Sequence, residues 1–359
     1  MDKIKISVLT VFSFLLIVGF SAITISLYED PALSTVLKPF VPKTEGLEAR
    51  DAFKVSLYTG AAVYSYPISV PPGINGLRPE LSLSYNSRDL GMPGIIGSGW
   101  AISENYIQRK TNHTVANITD DEFKLVLQGA SYNLVYSETD ERYHTERESF
   151  LHIENKSDAP NEKGVFWNVR TKDGTKFRLG FNNNSEKIAT EYDYVWRWSL
   201  DLVNDTYGNS IKYNYTEDPH TNDIGTVYPD TIKYNNDEKR KIKFIFEGND
   251  RRDIRLNFKQ DGNEIKHTRR LKEINITAND NLVRKYVFEY KTLEDSESIS
   301  LIANVTEYGN DGESSLQPII FEYGEVKDSW SLSDWIYPLC GDNNANMCFT
   351  SQVGGDKGI

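Results

Sequence analysis

Residues 63–87 read VYSYPISVPPGINGLRPELSLSYNS, and residues 91–107 continue GMPGIIGSGWAISENYI. Tyr64, Tyr66, Ile68 and Val70 alternate with smaller or polar residues, as do Leu81, Leu83 and Tyr85 with Ser82, Ser84 and Asn86. Because successive side chains of a strand point to opposite faces, this spacing predicts two half-buried antiparallel strands joined through Pro71, Pro72 and Gly73. Gly94, Gly97 and Gly99 then bring the chain through a tight turn into Trp100, whose neighbours continue as strand.

The same alternation recurs along the chain. Phe123, Leu125 and Leu127 share a face, and so do Trp196, Trp198, Leu200 and Leu202. Ile211, Tyr213 and Tyr215 follow, then Ile242, Phe244 and Phe246, Ile254, Leu256 and Phe258, Tyr286, Phe288 and Tyr290, and Ile319, Phe321 and Tyr323. Asp173-Gly174, Tyr207-Gly208-Asn209, Asp261-Gly262 and Gly309-Asn310-Asp311-Gly312 supply the turns. Beyond residue 30 no segment carries a helical stripe, so an all-β meander of hairpins is predicted. Alternation by itself permits a sandwich or a barrel equally.

Six segments in order resemble the virulence-plasmid B protein family and the N-terminal part of insecticidal toxin-complex B subunits, relatives of the RHS or YD-repeat shells. They include the string from Ser65 to Ser87 with Pro71, Pro72, Gly73, Tyr85 and Asn86, and the string from Gly97 through Gly99 and Trp100 to Ile102. Asp205 to Tyr215, with Tyr207, Gly208 and Asn209, comes next, followed by Tyr228-Pro229 with Ile232 and Tyr234. Arg269-Arg270-Leu271 with Ile274, and Tyr308 to Gly312 with Phe321-Glu322-Tyr323, complete the order. The resemblance implies an extended antiparallel hairpin meander wrapped into a curved RHS/toxin-complex-like shell. It also implies an exported, non-enzymatic scaffold that encloses or presents a toxin or effector, or pairs with the remaining shell. It covers only the family's N-terminal part, so the mono-ADP-ribosyltransferase carried by some members is not implied.

The N-terminus places Lys3 and Lys5 before an uncharged apolar run from Ile6 to Tyr28. That length exceeds a usual signal-peptide core and is enough to span a bilayer, which favours a membrane anchor over a cleaved signal. The expected organisation is therefore a signal or anchor at 1–28 with one transmembrane helix over 6–28, a Pro-containing linker at 29–50, an all-β domain at 51–325, and a Cys-containing tail at 326–359. An exported location, secreted or anchored at the cell surface through the N-terminal helix, follows from that reading, with the membrane as a second partner. Eight N-x-S/T sequons, at Asn112, Asn117, Asn155, Asn183, Asn204, Asn214, Asn275 and Asn304, agree with export, although an Asn-rich β protein generates them by composition. Cys340 and Cys348 flank a polar loop and read as one disulfide in an exported chain.

The net charge of −12, with both signs interspersed, offers no stripe for a phosphate backbone and argues against nucleic acid as a partner. No constellation for catalysis is legible: the five histidines lack metal-ligand spacing, no G-x-S-x-G elbow occurs, and the glycines at 94, 97 and 99 have the wrong order for a dinucleotide loop. Asp342, Asn344 and Asn346 begin a calcium-loop pattern, but Met347 replaces the turn glycine and no glutamate closes it. No catalytic residue, cofactor or metal ligand is nominated. Two alternative functions remain: a surface adhesin or glycan-binding module, resting on the aromatic content and on Trp330 and Trp335, and a surface glycosidase, resting on abundant carboxylates.

Overall fold

The computed structural model describes residues 53–89, 94–110, 121–189, 193–217, 226–247, 257–260, 263–265, 267–292, 300–323 and 346–349. Its first sheet is a four-stranded one, β1 (Phe53–Val55), β2 (Ala62–Ile68), β3 (Leu81–Asn86) and β4 (Trp100–Ile102), paired in that order. Tyr64 and Ile68 on β2, and Leu81, Leu83 and Tyr85 on β3, are buried as the alternation requires, while Ser84 and Asn86 are exposed.

A second set of strands follows: β5 (Tyr106–Lys110), β6 (Glu122–Leu127), β7 (Ala130–Ser137), β8 (Arg142–Thr145), β9 (His152–Lys156), β10 (Phe166–Arg170), β11 (Lys176–Leu179), β12 (Glu186–Ala189) and β13 (Tyr194–Asn204). Neighbours pair antiparallel from β5 through β11. β13 then pairs with β11 along one edge and with β5 along the other, Trp198 lying opposite Ile107, which closes a barrel. Its lumen is filled by the chain's own rings. Trp167 stands 4.8 Å from Tyr143, 5.0 Å from Phe123 and 5.8 Å from Trp198, centroid to centroid in edge-on geometry.

From the same β13 an open sheet continues through β14 (Ser210–Glu217), β15 (Val227–Tyr234) and β16 (Arg240–Phe246). A small hairpin, β17 (Asn257–Gln260) with β18 (Asn263–Ile265), intervenes before β19 (Leu271–Ala278), β20 (Asn281–Thr292), β21 (Ser300–Tyr308) and β22 (Ile319–Tyr323). β23 (Asn346–Phe349) joins β22 in parallel. The expected all-β curved shell is thus built as a plugged barrel fused to a long antiparallel sheet.

β13 departs from simple alternation because it is buried on both faces. Opposite β12 the register jumps from Lys187↔Arg197 to Ile188↔Val195, leaving Trp196 as the extra residue of a bulge. Trp196 therefore leaves the face of Trp198 and Leu200 and forms a separate small cluster with Ala189 and Tyr194. A second shift opposite β11 sets Leu200 against Leu179 and Leu202 against Arg178, so Asp201 is the bulged residue there. Its buried carboxylate accepts from Arg178 Nε at 2.7 Å and from the backbone N–H groups of Phe181 and Asn182 at 2.7 and 2.9 Å.

The N-terminal sheet packs on the long sheet. Trp100 lies 4.7 Å from Phe321, and Tyr64 lies 5.9 Å from the same ring. The turn before β4 adds backbone bonds, Ser98 N–H to Ser300 C=O at 2.9 Å and Leu271 N–H to Ile95 C=O at 2.7 Å.

One part of the expected fold class is corrected. Among the described residues no helix is long and apolar enough to cross a membrane, and the helical element there is the single 3-10 turn Ile74–Gly76. The segment 6–28 lies outside the described residues. A spanning helix needs about 20 residues with every backbone group bonded within itself, whereas the described chain meets its backbone bonds in sheet ladders. The described fold is all-β with no membrane-spanning helix, so it gives no support to the transmembrane helix, membrane anchor, signal peptide, membrane partner or anchored location expected from segment 6–28.

Gly97 tests the contact between the two sheets. Its φ of +93° suits glycine, and a Cβ there would stand 2.8 Å from the carbonyl oxygen of Ser300. Gly97→Ala is expected to lower stability by about 2–4 kcal/mol through strain and displaced backbone, read as a fall in the urea midpoint at unchanged slope.

Candidate functional site

Between the N-terminal sheet, the open end of the barrel and the β13–β14 hairpin lies a cleft of about 1680 Å³. One wall is the β2–β3 connection from Pro67 to Ser82, the floor includes Glu104, Tyr106, Arg197 and Leu200, and the far rim carries Asp173, Asp205 and Tyr207. The cleft is wide and mixed in polarity, with apolar strand residues between scattered charges.

The β2–β3 connection is fixed from behind. Tyr234 is fully buried and its hydroxyl donates to the carbonyl of Pro71 at 2.8 Å, while Ile74 N–H donates to Asn235 Oδ1 at 3.0 Å. The 3-10 turn folds back so tightly that a Cβ on Gly73 would sit 1.8 Å from Leu77 O, which requires glycine there. Ser69 N–H finds the hydroxyl of Tyr286 at 3.0 Å. Pro71, Pro72 and Gly73 thus shape the wall without being part of its lining.

The rim hairpin is organised by Asp205. One carboxylate oxygen accepts from the N–H groups of Tyr207 and Asn209 at 2.9 and 2.8 Å, and the other accepts from Asn209 Nδ2 at 2.6 Å. Partial burial works against the charge, but these bonds from Asn209, Tyr207 and Gly208 hold the carboxyl below its ordinary range. Gly208 takes φ +84° in the turn. Tyr207, 79% exposed, projects at the cleft rim.

The other expected family positions are structural. Tyr85 and Trp100 pack 5.2 Å apart in the core, and Asn86 accepts from Arg88 N–H at 3.0 Å on the exposed side of β3. Of the sequons, Asn155 and Asn183 are exposed, and Asn204, Asn214, Asn275 and Asn304 are half-buried. Asn112, Asn117 and Cys340 lie outside the described residues, as do Trp330 and Trp335; Cys348 falls on β23, its backbone opposite Glu322.

Sequence reasoning did not reach the charges of the floor, Arg197 and Glu104, or those behind it, Lys187 and Glu186. Arg197 Nη2 donates to Glu104 Oε2, and its guanidinium lies 3.5 Å from the centre of the Tyr106 ring. Burial opposes ionisation of Glu104, but Arg197 and Lys187 overcome it and hold the carboxyl low. Lys187, opposite Arg197 in register, is 6% exposed. Burial, then Arg197, push its ammonium down to about 8, against a smaller pull from Glu104. On the opposite face of β12, fully buried Glu186 accepts the N–H groups of Glu162 and Lys163 at 2.7 and 3.3 Å through one oxygen. Burial lifts its carboxyl to about 7. Their signal was weak in sequence: Glu186-Lys187 interrupts a short apolar strand, and only bulged register buries them. Among the described residues no group of three or more His, Cys, Asp or Glu is placed to hold a metal ion.

A family model described as Salmonella virulence plasmid 65kDa B protein matches residues 57–297. The chain belongs to this SpvB family. Its fold is similar to that of TcdB2-TccC3, with TM-score 0.58, 18% identity, and coverage of 75% of this chain and 16% of that one. The Tc holotoxin pore of Photorhabdus luminescens, carrying the mutation TccC3-D651A, gives TM-score 0.56 and 18% identity over 76% of this chain and 16% of the other. The N-terminal domain of the effector protein SpvB from Salmonella typhimurium strain LT2 gives TM-score 0.52 and 17% identity over 68% of this chain and 98% of that domain. The chain thus spans 16% of the toxin-complex chains and nearly all of the isolated SpvB domain. No curated protein matches it. Its described part is a β-shell module with the fold shared by the SpvB domain and the toxin-complex structures.

Two predictions follow from this geometry. Tyr234→Phe leaves the Pro71 carbonyl without its buried donor and is expected to cost about 1–3 kcal/mol in urea unfolding, because an orphaned polar group keeps its desolvation penalty. For Glu186, the folded state retains a proton that the unfolded chain releases near the ordinary carboxylate value of 4.5, so stability falls as pH rises from about 4.5 to about 7 and is level above. The expected loss is about 3 kcal/mol across that window, and Glu186→Gln should flatten it; an unchanged slope in urea midpoints between pH 5 and 7 would contradict the assignment.

Proposed function

We propose that this module encloses or presents a polypeptide toxin or effector as one part of a larger shell. The observation that carries this reading is the 1680 Å³ cleft, whose walls are positioned by the family's own segments while its lining is broad and chemically mixed. A small-molecule site usually occupies about 300–1,000 Å³ with a few convergent polar groups. A wide concave wall suits a flexible chain held without specific chemistry. The partners named in the toxin-complex structures, TcdB2 and TccC3, support a protein occupant and not a membrane or a nucleic acid.

The glycan-binding alternative gains nothing here. Trp100, Trp167, Trp196 and Trp198 are buried, so among the described residues no tryptophan offers a sugar platform. Of the carboxylates that line the cleft, Asp205 and Asp173 hold their own turns and Glu104 is bonded to Arg197.

Within this reading, residues 51–325 fold as one unit behind a linker at 29–50. The tail at 326–359 carries a Cys340–Cys348 disulfide, and glycans, where added, go to Asn155 and Asn183 in preference to the half-buried sequons. Peptide mapping without reductant is expected to yield one linked Cys340–Cys348 pair; two alkylated thiols would remove the bridge.

Enclosure is tested by producing the chain together with TccC3, the partner named in the toxin-complex structures, and digesting with trypsin. The partner is expected to co-purify and to survive several-fold longer than when alone. Ser84→Trp, placed on an exposed cleft position, should shorten that survival. Equal cleavage with and without the chain would defeat the proposal.

A further inference from the structure

Lys187 and Arg197 are directly opposed in antiparallel register, so their side chains leave the sheet on the same face. Like charges in that arrangement repel, and both are withdrawn from water, Lys187 at 6% exposure and the Arg197 side chain at 13%. One carboxylate, Glu104, serves the pair, and it is bonded to Arg197 Nη2. Arg197 Nε is buried with no hydrogen-bond partner, and among the described residues Lys187 has no carboxylate within 4.0 Å, its nearest ring contact being Trp196 at 5.8 Å. Tyr215, the other titratable group beside Glu104, is occupied in donating to Leu200 O at 2.7 Å.

A buried cation without a full counter-charge is costly. Asp201, on the same strand, shows what a satisfied buried charge looks like, with a guanidinium and two backbone donors. The Lys187–Arg197 pair lacks that completion, and Arg197 and Glu104 line the cleft floor. We propose that Lys187 and Arg197 form a receiving site for a carboxylate, supplied by an acidic segment of a polypeptide lying in the cleft. The carboxylate would take the free Nε–H of Arg197 and the ammonium of Lys187, converting two cations and one anion into a neutral cluster. The inference deepens the enclosure reading and rests on it for the source of the carboxylate.

The test uses the full chain with lysine labelled at 13Cε, the Lys187 signal being identified by its loss in Lys187→Arg. In the free protein the signal is expected to titrate near pH 8. Hexaglutamate is expected to raise the midpoint by about one unit or more, since each unit is a tenfold change in proton affinity. Hexaglutamine at matched ionic strength should leave it in place. Arg197→Lys, which keeps the charge and loses Nε, should reduce the response to hexaglutamate. No movement with hexaglutamate, or movement with inorganic phosphate alone, would overturn the proposal. Because the probe is a free peptide, loss of protease protection with this response intact defeats enclosure and leaves the site standing, and the converse result defeats the site alone.

Discussion

The structure depends on tyrosine hydroxyls reaching from the long sheet to the backbone of the N-terminal segment. The β2–β3 connection cannot pair with a neighbouring strand where it holds two prolines and a 3-10 turn, and Ser69, Pro71 and Ile74 meet the long sheet through single backbone groups. Its polar groups need partners from elsewhere. Tyr234 supplies one to Pro71 and Tyr286 another to Ser69, each ring filling core space while its hydroxyl satisfies the backbone. Tyr323 works in the same way, accepting from Trp100 Nε1 and donating to Ile302 O, both at 2.9 Å. A phenylalanine at any of these sites would keep the ring and leave the backbone or indole group without its partner.

β13 is the second determinant, because one strand belongs to both the barrel and the open sheet. Its edge pairs with β5 through residues 197–199 and with β14 through residues 202–204. The two partners diverge from that edge, and the cleft opens where they part. Bulges at Trp196 and Asp201 allow the shared strand to change which residues face each layer. The first isolates a small aromatic cluster, and the second turns a carboxylate inward to hold the loop that follows β11.

Strands and turns were legible because alternation and turn chemistry are local. Leu81, Leu83 and Tyr85 are buried where period two places them, and Asp205-Thr206-Tyr207-Gly208-Asn209 forms the turn that its residues predict. Barrel closure was not legible, since pairing Ile107 with Trp198 joins segments far apart in the chain and leaves no periodic trace. The tryptophans of β13 were assigned to one face because a bulge adds a residue without changing composition. The family positions proved informative about scaffold more than contact: of Pro71, Pro72, Gly73, Tyr207, Gly208 and Asn209, only Tyr207 lines the cleft. Lys187, Arg197, Glu104 and Glu186 were passed over for the same reason, their burial being set by register across strands.

The buried charges separate into two kinds, and the separation says where structure ends and recognition begins. Asp201 is held by Arg178 and the loop after β11, and half-buried Asp205 by donors of its own turn, so each is explained by the bulge or turn it stabilises. Glu186 has one oxygen bonded to two backbone N–H groups, and its raised carboxyl lets it avoid charge near neutral pH, which suits a purely internal role. Lys187, opposite Arg197 in register, remains largely protonated below about 8. Within the fold Lys187 is offset only in part, by its pull on the Glu104 carboxylate, which is itself bonded to Arg197. An anionic group arriving from the cleft would complete that offset.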